Sequence, residues 1–234
     1  MQNKLAEIPF TIEAKSDRYS YNGVFVPRVN DILSSMLSED YLMRWANSLG
    51  FKRLSYKKTL DEYANIGTQV HEIIEAYIRD RTVNITDSTP ATVVNAFTSF
   101  MDWYANVARN VDIFETISIE ERLTCQWFGG TLDWLVNIGG KIYLVDFKSS
   151  NHIGYRYFLQ MAAYRYMLKL LNRDIDGMII LQLSKNHVGF NEYIIRKDLP
   201  DHLEFMNHCE ETFLSLTHSY YMRMRTEYLF NQLF

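Results

Sequence analysis

The chain has 234 residues, 47% of them apolar and 15% aromatic, with a formal net charge of −4. That length buries a substantial core without staples, and so many aromatics exclude global disorder. Ten glycines and four prolines exclude collagen-like and low-complexity readings. Cys125 and Cys209 are too few for a disulfide framework or a four-thiolate cluster, and they fit a reducing compartment. No apolar leader opens the sequence and no run approaches about 18 apolar residues, so the expectation is a cytoplasmic, unsecreted protein that does not enter a membrane. The negative charge excludes a nonspecific coat for nucleic acid, though not an enzyme with carboxylates at its centre and cations at its rim.

Residues 17–28 read as a hairpin, with Asn22-Gly23 supplying the positive φ angles of a tight turn. Asn30 or Asp31 is expected to cap a short helix to Leu37, Ser38 a second one to Leu49, and Gly50 to stop it. A longer helix is expected over about 59–80, with Ile66, Val70, Ile73, Ile74 and Tyr77 on its buried side. Pro90 suits the first turn of a helix to about Ala108. From Glu115 the pattern changes: TISIEERLTCQWF, then TLDWLVNI, then KIYLVDFK read as three strands, broken at Gly129-Gly130 and turned at Gly139-Gly140. A helix over about 155–171 follows, then MIILQL (178–183), whose unbroken apolar run marks a strand covered on both faces. Residues 190–196 read as an edge strand, and Pro200 opens a last helix to about 230. The expected fold is α/β, with core order helix, three strands, helix, strand and a helical N-terminal addition. One domain is expected over 1–234: an N-terminal hairpin and helices over 1–60, a core over about 61–184, and a C-terminal strand and helix over 185–234.

Chemistry concentrates at the ends of those core elements. Asp146 and Lys148 are two apart on a strand and share a face, while Val145 and Phe147 take the other. Asp133 lies on the adjoining strand, across the Gly139-Gly140 turn. Two carboxylates at close range repel unless a cation stands between them, and oxygen ligands of this kind suit Mg²⁺ or Mn²⁺. A surface ion pair would give the same D-x-K triplet. His71 and Glu75 are four apart on one helix face, and Gly67 one turn earlier weakens that helix by about 1 kcal/mol relative to Ala. Gln160 and Tyr164 repeat the i, i+4 spacing on the helix after Lys148, where Ala162 and Ala163 allow close packing on the sheet. Of Glu120 and Glu121, strand alternation directs one toward Asp133; the expectation is Glu121.

GxxxH, GTLD, VDFK and QxxxY, in this order and on these element types, resemble the RecB-type branch of the PD-(D/E)XK nuclease superfamily. The resemblance covers about residues 61–184, with a weaker echo at PRVNDIL (27–33). It implies a restriction-endonuclease-like three-layer core, α-β-β-β-α-β, around a mixed sheet. It also implies a divalent metal, Mg²⁺ or Mn²⁺, held by His71, Asp133, Asp146 and the backbone carbonyl of Phe147. Lys148 would orient or deprotonate the attacking water, Gln160 and Tyr164 would contact the scissile strand or tune the site, Glu75 would support His71 or a metal-bound water, and Gly130 and Thr131 would hold the turn into Asp133. Leu132 stands where the superfamily has its proline, which changes no ligand. Two cysteines leave no room for the four-cysteine iron–sulfur cluster of some relatives.

Residues 44–58 carry five basic side chains, no acid, and Trp45, Phe51 and Tyr56 between them. Aromatics among cations suit a single strand, whose bases stack and whose phosphates pair with Lys or Arg; an amphipathic helix pair with a solvated basic face would look alike. The implied activity is metal-dependent exonucleolytic hydrolysis of DNA, at single strands or duplex ends, leaving a 5′ phosphate. The setting would be replication, repair or recombination, in a bacterial or virus-infected cell, with a replication or recombination protein as a partner. An endonuclease with the same site, and a noncatalytic nucleic-acid-binding module of this fold, are the alternatives.

Overall fold

The computed structural model describes residues 19–37 and 40–234. The start of the expected hairpin, the Ser38 cap and the side chains of residues 40–42 lie outside the described part. The hairpin is formed by β1 (Ser20–Tyr21) and β2 (Val24–Phe25), and Asn22 and Gly23 have φ values of 50° and 80°. Helix α1 (Val29–Met36) starts two residues earlier than a cap at Asn30, and three earlier than one at Asp31, would place it. Arg28 is its N-cap, and Asp31, in the first turn, accepts from the Arg28 backbone N–H (3.3 Å) and guanidinium (2.6 Å to Nη2). Helix α2 (Asp40–Phe51) runs through Gly50. Arg53 closes it instead at φ 55°, and the Leu54 N–H returns to the Leu49 carbonyl. Helix α3 (Tyr56–Asp80) starts three residues early, because Ser55 caps it by accepting from the Lys58 N–H. Helix α4 (Ala91–Asn110) follows Pro90, whose fixed φ suits the entry.

The three expected strands are β3 (Phe114–Thr124), β4 (Gly129–Ile138) and β5 (Lys141–Lys148). Gly129-Gly130 does not break the run. The turn falls at Cys125–Phe128, closed by Cys125 N–H to the Phe128 carbonyl, and both glycines are strand residues. A Cβ on Gly129 would stand 2.6 Å from the Tyr19 side chain, and one on Gly130 2.5 Å from the Tyr164 ring. Two aromatic rings, not a bend, require these glycines. Gly139 and Gly140, at φ 61° and 81°, turn β4 into β5. Helix α5 (Tyr155–Leu170) then crosses to β6 (Gly177–Leu183), β7 (Phe190–Arg196) follows, and α6 (Pro200–Leu233) ends the chain.

The five-stranded sheet has the order β3-β4-β5-β6-β7, antiparallel except for the parallel β5–β6 pair. The α-β-β-β-α-β core is therefore a mixed sheet between helical layers. One face packs Val70, Ile74, Phe100 and Trp103 of α3 and α4 against Trp134, Val145 and Phe147. The other packs α1, α5 and α6 against Leu132, Leu144 and Ile180, with Ala162 and Ala163 fully buried. Strand alternation gives Phe147 to the first face and Asp146 and Lys148 to the second. No helix among the described residues is long and apolar enough to cross a membrane.

Candidate metal centre

The site lies at the C-terminal end of β5, between α3 and α5. Val70 and Ile74, both buried, fix α3 on the sheet and leave His71 at its edge. His71 Nε2 stands 3.0 Å from the Phe147 carbonyl oxygen. A carbonyl only accepts, so Nε2 carries the hydrogen and Nδ1 is directed away. That Nδ1 is 3.7 Å from both Glu120 Oε1 and Asp133 Oδ2. Ligand atoms of His71, Glu120 and Asp133 all lie within 4.8 Å of one another, a group that could hold a metal ion.

Asp133 owes its position to the end of a ladder. The last β4–β5 pair before the site is Trp134 with Val145. One step further the Phe147 N–H donates to Asp133 Oδ2 at 2.8 Å, so a side chain takes over where backbone pairing stops. Glu120 enters by a different device. It has φ 47°, rare for a non-glycine residue, and it falls between the pairs Ile119–Trp134 and Glu121–Leu132. The left-handed turn aims its carboxylate at His71. Glu121, the residue expected there, is instead held by Arg173 at 2.5 and 2.9 Å.

Asp146, 1% exposed, pairs with Lys148 Nζ at 2.5 Å. The ammonium takes Oδ2, and Asp146 Oδ1 is left without a partner among the described residues. Burial, and then the neighbouring Asp133, push its carboxyl above the ordinary range against the pull of Lys148. Lys148 remains an ammonium: burial opposes the charge, but Asp146 and Asp133 outweigh it. The Tyr157 ring lies 5.1 Å from its Nζ. His71 is likewise desolvated, yet Asp133 and Glu120 raise it to about 9. With His71 deprotonated, as metal ligation requires, Glu120, Asp133 and Asp146 counted as carboxylates oppose one ammonium, which leaves two negative charges for a divalent cation to balance. The unpartnered Asp146 Oδ1 and the converging Nδ1 and carboxylates fit such an ion.

Gln160 Nε2 donates to the Tyr164 hydroxyl at 3.0 Å. Tyr164 is buried against Gly130, and burial, then Asp133 and Asp146, keep its phenol protonated far above the ordinary range. Tyr164 thus feels both acids from the α5 side, and Gln160 is tied to it. Thr131 accepts or donates at 2.8 Å to the Tyr19 hydroxyl. Glu75, expected to support His71 or a metal-bound water, accepts through Oε1 from Arg79, one turn on, at 2.6 Å. The Phe147 carbonyl, expected as a ligand, stands against the imidazole Nε2. Glu120 was missed because its direction depends on a backbone angle that strand alternation does not contain.

No family model matches the chain and no curated protein matches it. Among solved structures it is similar to the crystal structure of SSO0001, at 15% identity over 92% of this chain and 83% of that one, with a TM-score of 0.38. It is also similar to a phage related exonuclease from Haemophilus somnus 129PT, at 11% identity over 87% of this chain and 96% of that one, with a TM-score of 0.37.

Proposed function

We propose that this chain, as one catalytic domain, is a divalent-metal-dependent deoxyribonuclease acting as an exonuclease on single strands or duplex ends, in replication, repair or recombination. The observation that carries the reading is the convergence of His71 Nδ1, Glu120 and Asp133 within 4.8 Å, beside the buried Asp146–Lys148 pair. His71, Glu120, Asp133 and Asp146 are the residues that would hold Mg²⁺ or Mn²⁺. The bound ion supplies a water of lowered pKa and neutralises phosphate oxygens. Lys148, a fixed ammonium, orients the attacking water and stabilises charge developing on phosphorus-bound oxygens. Asp146 holds that ammonium in place. Tyr164, protonated and tied to Gln160, can donate to a phosphate oxygen from the α5 side. The Phe147 carbonyl keeps Nδ1 of His71 directed at the acids. In-line attack by that water would form a new bond to phosphorus as the bond to the 3′ oxygen breaks, the water giving its proton to solvent and the leaving oxygen taking one up, which leaves a 3′ hydroxyl and a 5′ phosphate.

The test uses end-labelled linear and circular single-stranded DNA with Mg²⁺, Mn²⁺ or EDTA, for the parent, Asp146→Asn and Lys148→Ala. Linear DNA is expected to shorten from an end in either metal and circular DNA to persist. Both variants are expected to lose at least about 100-fold in rate, the scale of removing one preorganised charge. Linearisation of the circle would make the enzyme an endonuclease. Variants as fast as the parent would remove the site assignment.

A further inference from the structure

The β6–β7 turn carries a lysine whose surroundings are unusual for a surface charge. Lys185 is half-buried, and its Nζ stands over the Tyr63 ring, 4.6 Å from the centroid. Among the described residues no carboxylate lies within ion-pair distance of it, and burial alone pulls its ammonium below the ordinary lysine range. A charge that loses hydration without gaining an opposite charge is costly unless a partner arrives. Its position is nevertheless fixed. Asn95 Nδ2 donates to the Lys185 carbonyl at 3.0 Å, the Ser184 N–H to the Gly189 carbonyl at 3.0 Å, and the Gly189 N–H to Ser99 Oγ at 2.9 Å. The Tyr63 ring is itself backed by Trp45, 5.9 Å between centroids, and Trp45 rests edge-on against Tyr56 at 5.4 Å.

Two independent measures place this ammonium on the rim of the metal group. Gln182 is register-paired with Lys148 across the parallel β5–β6 ladder. Lys185 lies three residues beyond, in the turn that follows the end of β6 at Leu183. On the other side, Tyr63 and His71 are eight residues apart on α3, about 12 Å along its axis. Between them lies Gly67, which has no side chain and where a Cβ would meet only Ser149 Oγ, at 3.8 Å, in the loop that follows Lys148.

We propose that Lys185, seated on Tyr63, is a phosphate-binding subsite for the nucleic-acid strand that enters the metal group over Gly67. The proposal rests on the nuclease reading above and adds the direction of approach. Tyr63 is a positioning residue: it holds the ammonium at a fixed height, and Trp45 holds Tyr63.

The test is fluorescence anisotropy of a fluorescein-labelled oligothymidylate, titrated with the parent, Lys185→Gln, Lys185→Arg, Tyr63→Ala and Tyr63→Phe at several NaCl concentrations, with Ca²⁺ in place of Mg²⁺. Lys185→Gln is expected to bind about five- to tenfold more weakly at low salt. Its log–log salt dependence should be shallower by about 0.7, the share of one phosphate contact on a single strand. Lys185→Arg and Tyr63→Phe should stay near the parent, and Tyr63→Ala should fall toward Lys185→Gln. Thermal melts check that each variant is folded. An unchanged affinity and salt slope for Lys185→Gln overturns the subsite even if the protein cuts DNA. Binding that responds as described in a protein that cuts nothing in Mg²⁺ or Mn²⁺ removes the nuclease reading and keeps the subsite. A parent that binds no oligonucleotide overturns both.

Discussion

His71 sits where burial would strip its second proton and acids restore it. Asp133 and Glu120 win, and the imidazolium persists to about pH 9 against an ordinary 6.5. The folded-state value is the higher one. The charged ring therefore stabilises the metal-free protein fully below about pH 6.5, and that contribution is lost as pH rises through about 9. In EDTA, the melting temperature of the parent relative to His71→Asn is expected to fall across this window. Saturating Mn²⁺, which replaces the proton, should flatten the difference. Two glycines should respond oppositely to alanine. Gly67→Ala adds a methyl in open space to a helix, so the free protein should gain about 1 kcal/mol and melt about 2–4 °C higher. Gly130→Ala drives a Cβ to 2.5 Å from the Tyr164 ring and should lower the melting temperature while loosening the Gln160–Tyr164 contact. At this scale the meeting of Asp146 and Lys148 was legible because residues two apart on one strand share a face. Glu120 was not, because one backbone angle of 47° overrides alternation. Glu75 was ambiguous for a related reason: the spacing that faces it toward His71 equally faces it toward Arg79.

The elements followed from periodicity, and their ends departed where a cap came from an unlikely residue. Arg28 and Arg53 act at helix ends where Asn or Gly was expected. The Gly129-Gly130 pair reads locally as a break, and only rings arriving from Tyr19 and from α5 explain it as strand. The α5–α6 contact was also hidden. Arg165, almost wholly buried, donates to Asn207 Oδ1 at 3.1 Å and pairs with Glu210 at 3.3 Å, and Lys169 reaches the same acid at 2.7 Å. A buried guanidinium deprived of its acid is expensive. Glu210→Ala is expected to destabilise by about 3–5 kcal/mol, read as a lower midpoint in urea. The double replacement Arg165→Met with Glu210→Leu should recover much of that loss, because it leaves no buried charge unpaired, and Lys169, the other partner of Glu210, is exposed to solvent.

Across the whole molecule, the order of elements along the chain was legible because apolar runs and turns alternate cleanly, the three layers were implied by the family resemblance, and which helix ends reach the site depends on packing between distant segments. The last buried side chain of α6 is Tyr221, whose hydroxyl donates to the Trp127 carbonyl at 2.8 Å. Residues 226–234 are exposed throughout. Removing 228–234 is therefore expected to leave the melting temperature within about 2 °C of the parent, by calorimetry. The parallel β5–β6 pair has a different bearing. Antiparallel neighbours can zip from a short turn, but this pair needs all of α5 laid across the sheet before its bonds form. Lys148 is anchored on one of those two strands, and its loop is tied to the other through Gln182 Nε2 and the Ser150 carbonyl, at 2.7 Å. For the nuclease proposed above, cutting would require the β5–β6 pair to be in place, so a nascent chain would have no cutting power before its architecture is complete.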